Sequence, residues 1–262
     1  MAMARNTDLD WKHFGDHNPF YGVLSHPEFS SGNLTAASIE QFYESGTEHV
    51  QTVLKRVEQL FDGQRRFRQI VDFGCGVGRL TLPFSGHAEE VIGIDVSEGM
   101  LAKARERCAR IGVYNVRFLI GNDLLSGLPM RPDLIHSFIV FQHIPVARGM
   151  SIIQSLLDHL APDGIGALHI TFGMVASRPT EAERVRRNRR KRLVKRILDH
   201  LPNFFMRPYM QMNDYRVDQI LVKLHTAGAT CVHIDLVEQA GHLAGFFYFR
   251  KKAALPEPAT QG

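Results

Sequence analysis

The stretch that decides the fold is Val71-Asp-Phe-Gly-Cys-Gly-Val-Gly-Arg79. An apolar run, RQIVDF at 68–73, ends beside an acid, and glycines stand at 74, 76 and 78 before a helical pattern begins. One glycine after a strand marks a turn. Three, with Asp72 just before them, let backbone N–H groups come close to a ligand at a helix N-terminus. A dinucleotide fold carries GxGxxG, with its third glycine one position later than the GxGxG of this chain.

Outward from that turn the character of the first strand recurs. EVIGID (90–95), VRFLI (116–120), DLIHSFIV (133–140) and GALHITF (166–172) are short apolar runs. Helical segments lie between them at 78–85, 97–111 and 147–160. Runs apolar on both faces, alternating with helices, predict βαβ units and a mostly parallel sheet. Thr35–Phe61 reads as a long helix, with Ile39, Phe42, Val50, Val53, Leu54, Val57 and Leu60 at helical spacing. A last helix over Asp214–Ala227, stopped at Gly228 as a C-cap, is followed by TCVHIDLV and GFFYFRK, a closing hairpin.

Two more acids follow strand ends. Asp95, in GIDVSEGML, is placed to accept both ribose hydroxyls of a nucleoside. Asp123, in LIGNDLL, is placed with Asn122 to reach an adenine amino group. Together these segments resemble the class I S-adenosylmethionine-dependent methyltransferases. VDFGCGVGR is similar to their first motif, GIDVSEGML to the second and GNDLL to the third; DLIHSFIVFQHIP and LAPDGIGALHITF resemble the later strand motifs. The resemblance covers about Ile70–Thr171 strongly and the terminal helix and hairpin in outline.

It implies a Rossmann-like α/β fold: a seven-stranded, mostly parallel sheet of order 3-2-1-4-5-7-6, last strand antiparallel, with helices on both faces. It implies S-adenosyl-L-methionine as cofactor, with S-adenosyl-L-homocysteine as product. Asp72 and the glycines would surround the methionine portion, Asp95 the ribose and Asp123 the adenine, flanked by Val96, Met100, Asn122 and Leu124. Phe73, Gly74, Cys75, Gly76, Gly78, Arg79 and Phe141 complete the expected cofactor set.

In-line transfer from a sulfonium needs an aligned acceptor and, for a hydroxyl, removal of a proton. Residues after the fourth strand, Phe141-Gln-His-Ile-Pro145, face the methyl group if ligands sit beyond the strand ends. His143 is the best-placed general base, since imidazole titrates near neutrality. Gln142 beside it, His17 and Tyr21 of the lead-in, and Tyr209 and Met212 of MQMNDYR's neighbourhood are the expected acceptor contacts. NPFY at 18–21 resembles the NPPY of amino-methylating DNA enzymes but stands in the wrong place, where the fourth-strand motif reads FQHI.

The chain has 262 residues, 44% hydrophobic and 22% charged, and a net charge of +4. Arg178–Arg196 holds ten basic against two acidic residues, a local +8, so the rest carries −4. The basic character therefore belongs to one segment, and a pI of 9.0 does not make the whole fold a nucleic-acid binder. Within RVRRNRRKRLVKRILDHL, Leu193, Val194, Ile197, Leu198 and Leu201 form an apolar stripe. The 184–196 stretch reads first as a helix packed on the body. Contact with an anionic acceptor, an anionic membrane surface or RNA are the functional alternatives.

The expected division is a lid and helix over 1–62, a methyltransferase domain over 63–252 with a helical cover insert at 174–212, and a disordered tail at 253–262. Cys75, Cys108 and Cys231 form no CxxC, and neither a zinc site nor a disulfide framework is expected. No secretory leader or membrane span is legible, so a cytoplasmic protein is expected. The function read from all this is methyl transfer to a small or medium-sized acceptor, most directly a hydroxyl. RNA methylation and N-methylation of a small amine are the alternatives.

Overall fold

The computed structural model describes residues 7–61, 66–128, 131–174, 208–239 and 241–252. The arginine-rich 184–196 stretch, most of the 174–212 insert and the 253–262 tail lie outside the described residues.

Seven strands form one sheet: β1 (Phe67–Phe73), β2 (Ala88–Asp95), β3 (Val116–Ile120), β4 (Leu134–Ser137), β5 (Ile165–Met174), β6 (Ala229–Gln239) and β7 (His242–Lys251). Their order is β3-β2-β1-β4-β5-β7-β6. β1 to β5 are parallel, and β7 runs antiparallel between β5 and β6. This is the order that the motifs implied. β1 is buried along nearly its whole length because helices cover both sheet faces, which explains an apolar run without alternation.

The helices are α1 (Thr7–His17), α2 (Pro19–Val23), α3 (Ala36–Leu60), α4 (Thr81–Phe84), α5 (Glu98–Ile111), α6 (Val146–His159) and α7 (Val217–Thr226). One face of the sheet packs Ile152, Leu156 and Leu160 with Ile220 and Leu224. The other packs Val50, Val53 and Val57 of α3 against Ile70, Val91 and Leu134. α3 thus shares the sheet's core. It starts in a capping box: the Thr35 hydroxyl accepts from the Ser38 amide while Ser38 accepts from the Thr35 amide. Ser97 caps α5, and Gly112 ends it in the left-handed region, φ 70°.

Among the boundaries that differ from the sequence reading, two have a cause in the backbone. β4 stops at Ser137, not Val140, because Ile139 turns through φ 59° and redirects the chain into a short 3-10 turn at Phe141–His143. The helical segment read at 78–85 is the single turn of α4, since Gly78 is still in the glycine turn at φ 80°. The strand order reverses between β1 and β4, and the crevice beyond their carboxyl ends is where an open α/β sheet binds ligands.

Candidate active site

Asp72 ends β1 facing inward. Its carboxylate accepts from Thr81 Oγ1 at 2.6 Å and pairs with His136 Nδ1 at 2.9 Å. His136 in turn meets His49 of α3, Nε2 to Nε2 at 3.4 Å. Gly74 and Gly76 follow with φ of 74° and 54°, and a Cβ at Gly74 would drive into Val140. Only glycine serves there, on both counts. The turn hangs from β2, where the amides of Gly74 and Cys75 donate to the Ile94 carbonyl at 2.7 and 3.0 Å. Asp95 closes β2, its carboxylate accepting from the amides of Gly76 and Ser97, both at 2.9 Å. Burial pushes its pKa up to about 6 despite those donors.

A cavity of about 770 Å³ opens over these strand ends. That is the size range of cofactor and substrate sites. Its wall contains Asp72, Phe73, Gly74, Cys75, Gly76, Arg79, Asp95, Val96, Met100, Asn122 and Asp123 of the expected cofactor set, with His143, Gln142 and Met212 of the expected acceptor set. The residues fit a nucleoside-bearing methyl donor. The glycine turn removes side chains where a ligand must come close, and Asp95 offers acceptor lone pairs at the far end. Met100 and Val96 give apolar surface for a base.

Six expected contacts are not in the wall. Gly78 packs against Ala104 of α5, with no room for a ligand between them. Leu124 turns outward, 73% exposed, and Phe141 is fully buried, stacked on Phe73 with ring centroids 5.8 Å apart. His17 lies on the outside of α1, stacked on His13. Six positions on from the wall residue Trp11 is about 240° further round a helix, which turns it away. Tyr21 packs in the cluster around Phe20 and Phe42, and Tyr209 is 58% exposed. Within the wall, Asp123 differs from the expectation for it. Its carboxylate is held by Arg148 of α6, with Nε and Nη2 at 2.8 and 2.7 Å, and the same guanidinium grips Asp8 of α1 at 2.6 and 2.9 Å. Those two acids push the Arg148 pKa up.

His143 is 8% exposed. Its Nδ1 lies 2.7 Å from the Gln211 carbonyl, which fixes the proton on that nitrogen and leaves a lone pair on Nε2. Gln142 stands at that lone pair, its amide nitrogen 3.2 Å away and its carbonyl taking a hydrogen bond from Thr171 Oγ1 at 2.9 Å. Burial lowers the pKa of His143, so the ring is neutral at pH 7. Trp11 of α1 covers it, ring centroids 5.0 Å apart. The 208–216 strap is stitched over the same turn: Asn213 donates to the Gln142 carbonyl at 2.7 Å and Tyr215 Oη to that of Ile144 at 2.9 Å. Sequence reasoning missed Trp11, Arg148, Thr171 and the wall residues Gln41, Ser45 and His242, since each reaches the cavity from a distant segment.

Residues 70–164 match the family model described as "Methyltransferase domain". Residues 70–164 carry a methyltransferase domain, on the fold of the class I S-adenosylmethionine-dependent enzymes. Magnesium protoporphyrin IX methyltransferase of Synechocystis PCC 6803, solved with bound S-adenosylmethionine, superposes with a TM-score of 0.61 at 14% identity, over 96% of this chain and 100% of that one. The amino pentose methyltransferase CalS10 of Micromonospora echinaspora gives a TM-score of 0.54 at 16% identity, over 84% of this chain and 98% of that one. At such identity the likeness is one of fold. Among curated proteins, the 23S rRNA (uracil(1939)-C(5))-methyltransferase RlmD of Alkalilimnicola ehrlichii is 27% identical over 136 residues, 52% of this chain and 30% of the relative. The chain thus spans under a third of that relative's length. Among the described residues no helix is long and apolar enough to cross a membrane, and no cluster of ligands could hold a metal ion.

Proposed function

We propose that this domain transfers a methyl group from S-adenosylmethionine to a hydroxyl of a small or medium-sized acceptor, with His143 as general base. The observation that carries this reading is the neutral imidazole in the cavity wall, its Nδ1 proton committed to the Gln211 carbonyl and its Nε2 lone pair met only by the side-chain amide of Gln142. The donor supplies an activated methyl group on its sulfonium. The chain's own part is to align the acceptor, to exclude water with Trp11 and the 208–216 strap, and to take the hydroxyl proton at Nε2. An acceptor hydroxyl takes the place of the Gln142 amide at that atom, and Thr171 then keeps Gln142 in register beside it.

The roofed cavity supports a small acceptor over RNA. Methylation at C5 of a pyrimidine base, the reaction in the names of the RlmD relatives, calls for a thiolate nucleophile. Cys75 is the chain's one cysteine in the wall, and burial with Asp95 and Asp72 nearby pushes its thiol well above the usual range. RNA and amine acceptors, contact of the basic segment with membranes and a cytoplasmic location stay as alternatives for experiment.

The test is a screen of hydroxylated small molecules with labelled methyl donor, followed by His143→Ala on any acceptor found. Loss of about 10²–10⁴-fold in transfer with donor binding kept is expected for a general base. Unchanged turnover would remove His143 from that role.

A further inference from the structure

Beyond the cofactor cradle the cavity continues past the glycine turn toward α3. There it is walled by Gln41 and Ser45 of α3, Arg79, Phe138, and His242 at the start of β7. Arg79 is 5% exposed. One terminal nitrogen donates to Ser45 Oγ at 3.3 Å, the guanidinium lies 5.9 Å over the Phe42 ring, and Nε has no partner. No carboxylate of the described residues forms a salt bridge with it. Asp72 attracts it only at longer range, its oxygens being held by Thr81 and His136. Burial accordingly lowers the Arg79 pKa to about 10. Nδ1 of His242 is a second buried atom of the same wall without a partner.

A buried guanidinium without a salt-bridging anion is a liability for folding, because desolvation of the charge goes uncompensated. The other arginine of the wall, Arg148, is matched by two acids. A single unmatched positive charge inside a substrate cavity is balanced by a ligand carrying one negative charge. The planar fork of arginine suits a carboxylate in particular.

We propose that Arg79 anchors a carboxylate of the acceptor, so that the substrate of the site is a hydroxylated organic acid, oriented with its acid end at α3 and its hydroxyl toward His143. The inference rests on the methyltransferase reading above and adds the acceptor's class to it. Gln41, Ser45 and His242 then supply polar contacts around the acid, and Phe138 a flat apolar wall for the body of the molecule. The methionine part of the donor also bears a carboxylate, and the experiment separates the two sources.

The full chain, saturated with S-adenosylhomocysteine, is titrated calorimetrically with 4-hydroxybenzoate and with its methyl ester. The acid is expected to bind at least tenfold more tightly than the ester. Arg79→Met should erase that preference, and Arg79→Lys should restore part of it. Arg79→Met should melt at the same temperature as the parent or higher, since it removes an unmatched buried charge. A wild type that binds acid and ester alike, or neither, overturns the proposal. So does an Arg79→Met variant that loses S-adenosylhomocysteine affinity tenfold while keeping affinity for 5′-methylthioadenosine, which lacks the carboxylate; the anchored acid would then be the donor's. A wild type that does not bind S-adenosylhomocysteine at all brings down the methyltransferase reading itself, and this inference with it.

Discussion

Asp95 and His143 are both buried, yet burial acts on them in opposite senses. Desolvation disfavours the charged form of each, raising the carboxyl of Asp95 to about 6 and lowering the imidazole of His143. At neutral pH both are therefore in the form their proposed roles need: an ionised acceptor for ribose hydroxyls and a neutral base. S-adenosylhomocysteine affinity should fall as pH drops below about 6, approaching tenfold per unit, because the ligand must then displace a proton from Asp95. Calorimetry between pH 5 and 8 checks this, and a flat profile would contradict the ribose contact. Asp95→Asn should weaken binding by about 1.5–3 kcal/mol, the range for hydrogen bonds to charged groups, and flatten that profile. The transfer rate should climb with pH below 6.5 and stay level above it, since His143 titrates lower than free imidazole.

At the scale of elements, the roof of the site is held by few ties. Arg148 links α6 to α1 through Asp8 and to the β3 end through Asp123, with all three side chains partly exposed. Such pairs add little to global stability, about 1 kcal/mol or less. They do fix where α1 sits, and with it Trp11 over His143. Arg148→Met should leave the melting temperature nearly unchanged while speeding S-adenosylhomocysteine release, read by stopped-flow fluorescence; unchanged release would mean that α1 is held by its apolar face alone. Gly46 shows a different constraint. Its position on α3 faces the backbone carbonyl of Arg79, and a Cβ there would overlap it. Gly46→Ala should lower stability by about 1–3 kcal/mol in urea unfolding, overpacking outweighing the gain in helix propensity of about 1 kcal/mol.

The glycine turn, Asp95 and the strand order were legible because each is a local pattern: a period, a punctuating glycine, an acid at a strand end. Arg148 and Thr171 were not, because each acts through partners far away in sequence. Arg148 looks like one more charge on an amphipathic helix until Asp8, 140 positions earlier, is brought against it. His17 and Tyr21 failed as contacts for the same reason inverted. They lie in the right segment, but only the packed geometry says which face of that segment looks inward.

Across the whole molecule, three histidines lie where α3 meets β4 and β5, His136 and His169 buried and His49 half-buried. His136 hands a hydrogen bond to Asp72, His49 is pushed down to about 2 by burial and by its neighbour His136, and His169 to about 4. In the unfolded chain His49 and His169 take up protons near pH 6.5. Their contribution is thus complete above 6.5 and is lost as pH falls toward 4. Asp95 acts in the other direction, its raised pKa favouring the fold as pH falls below about 6. His143, also lowered by burial, adds to the histidine side, so stability falls with acid by at least about 1.4 kcal/mol per pH unit between 6 and 4. Urea unfolding at a series of pH values reads that slope, and stability that rises on acidification would contradict neutral histidines in the core.

The central claim is that the cavity over the β1–β4 switch point holds S-adenosylmethionine. Calorimetric titration of the full chain with S-adenosylmethionine and S-adenosylhomocysteine, with NAD as control, tests it most directly. The account predicts micromolar binding of the first two and none of NAD. Binding of NAD with equal strength, or no binding of the sulfonium and its product, would contradict it.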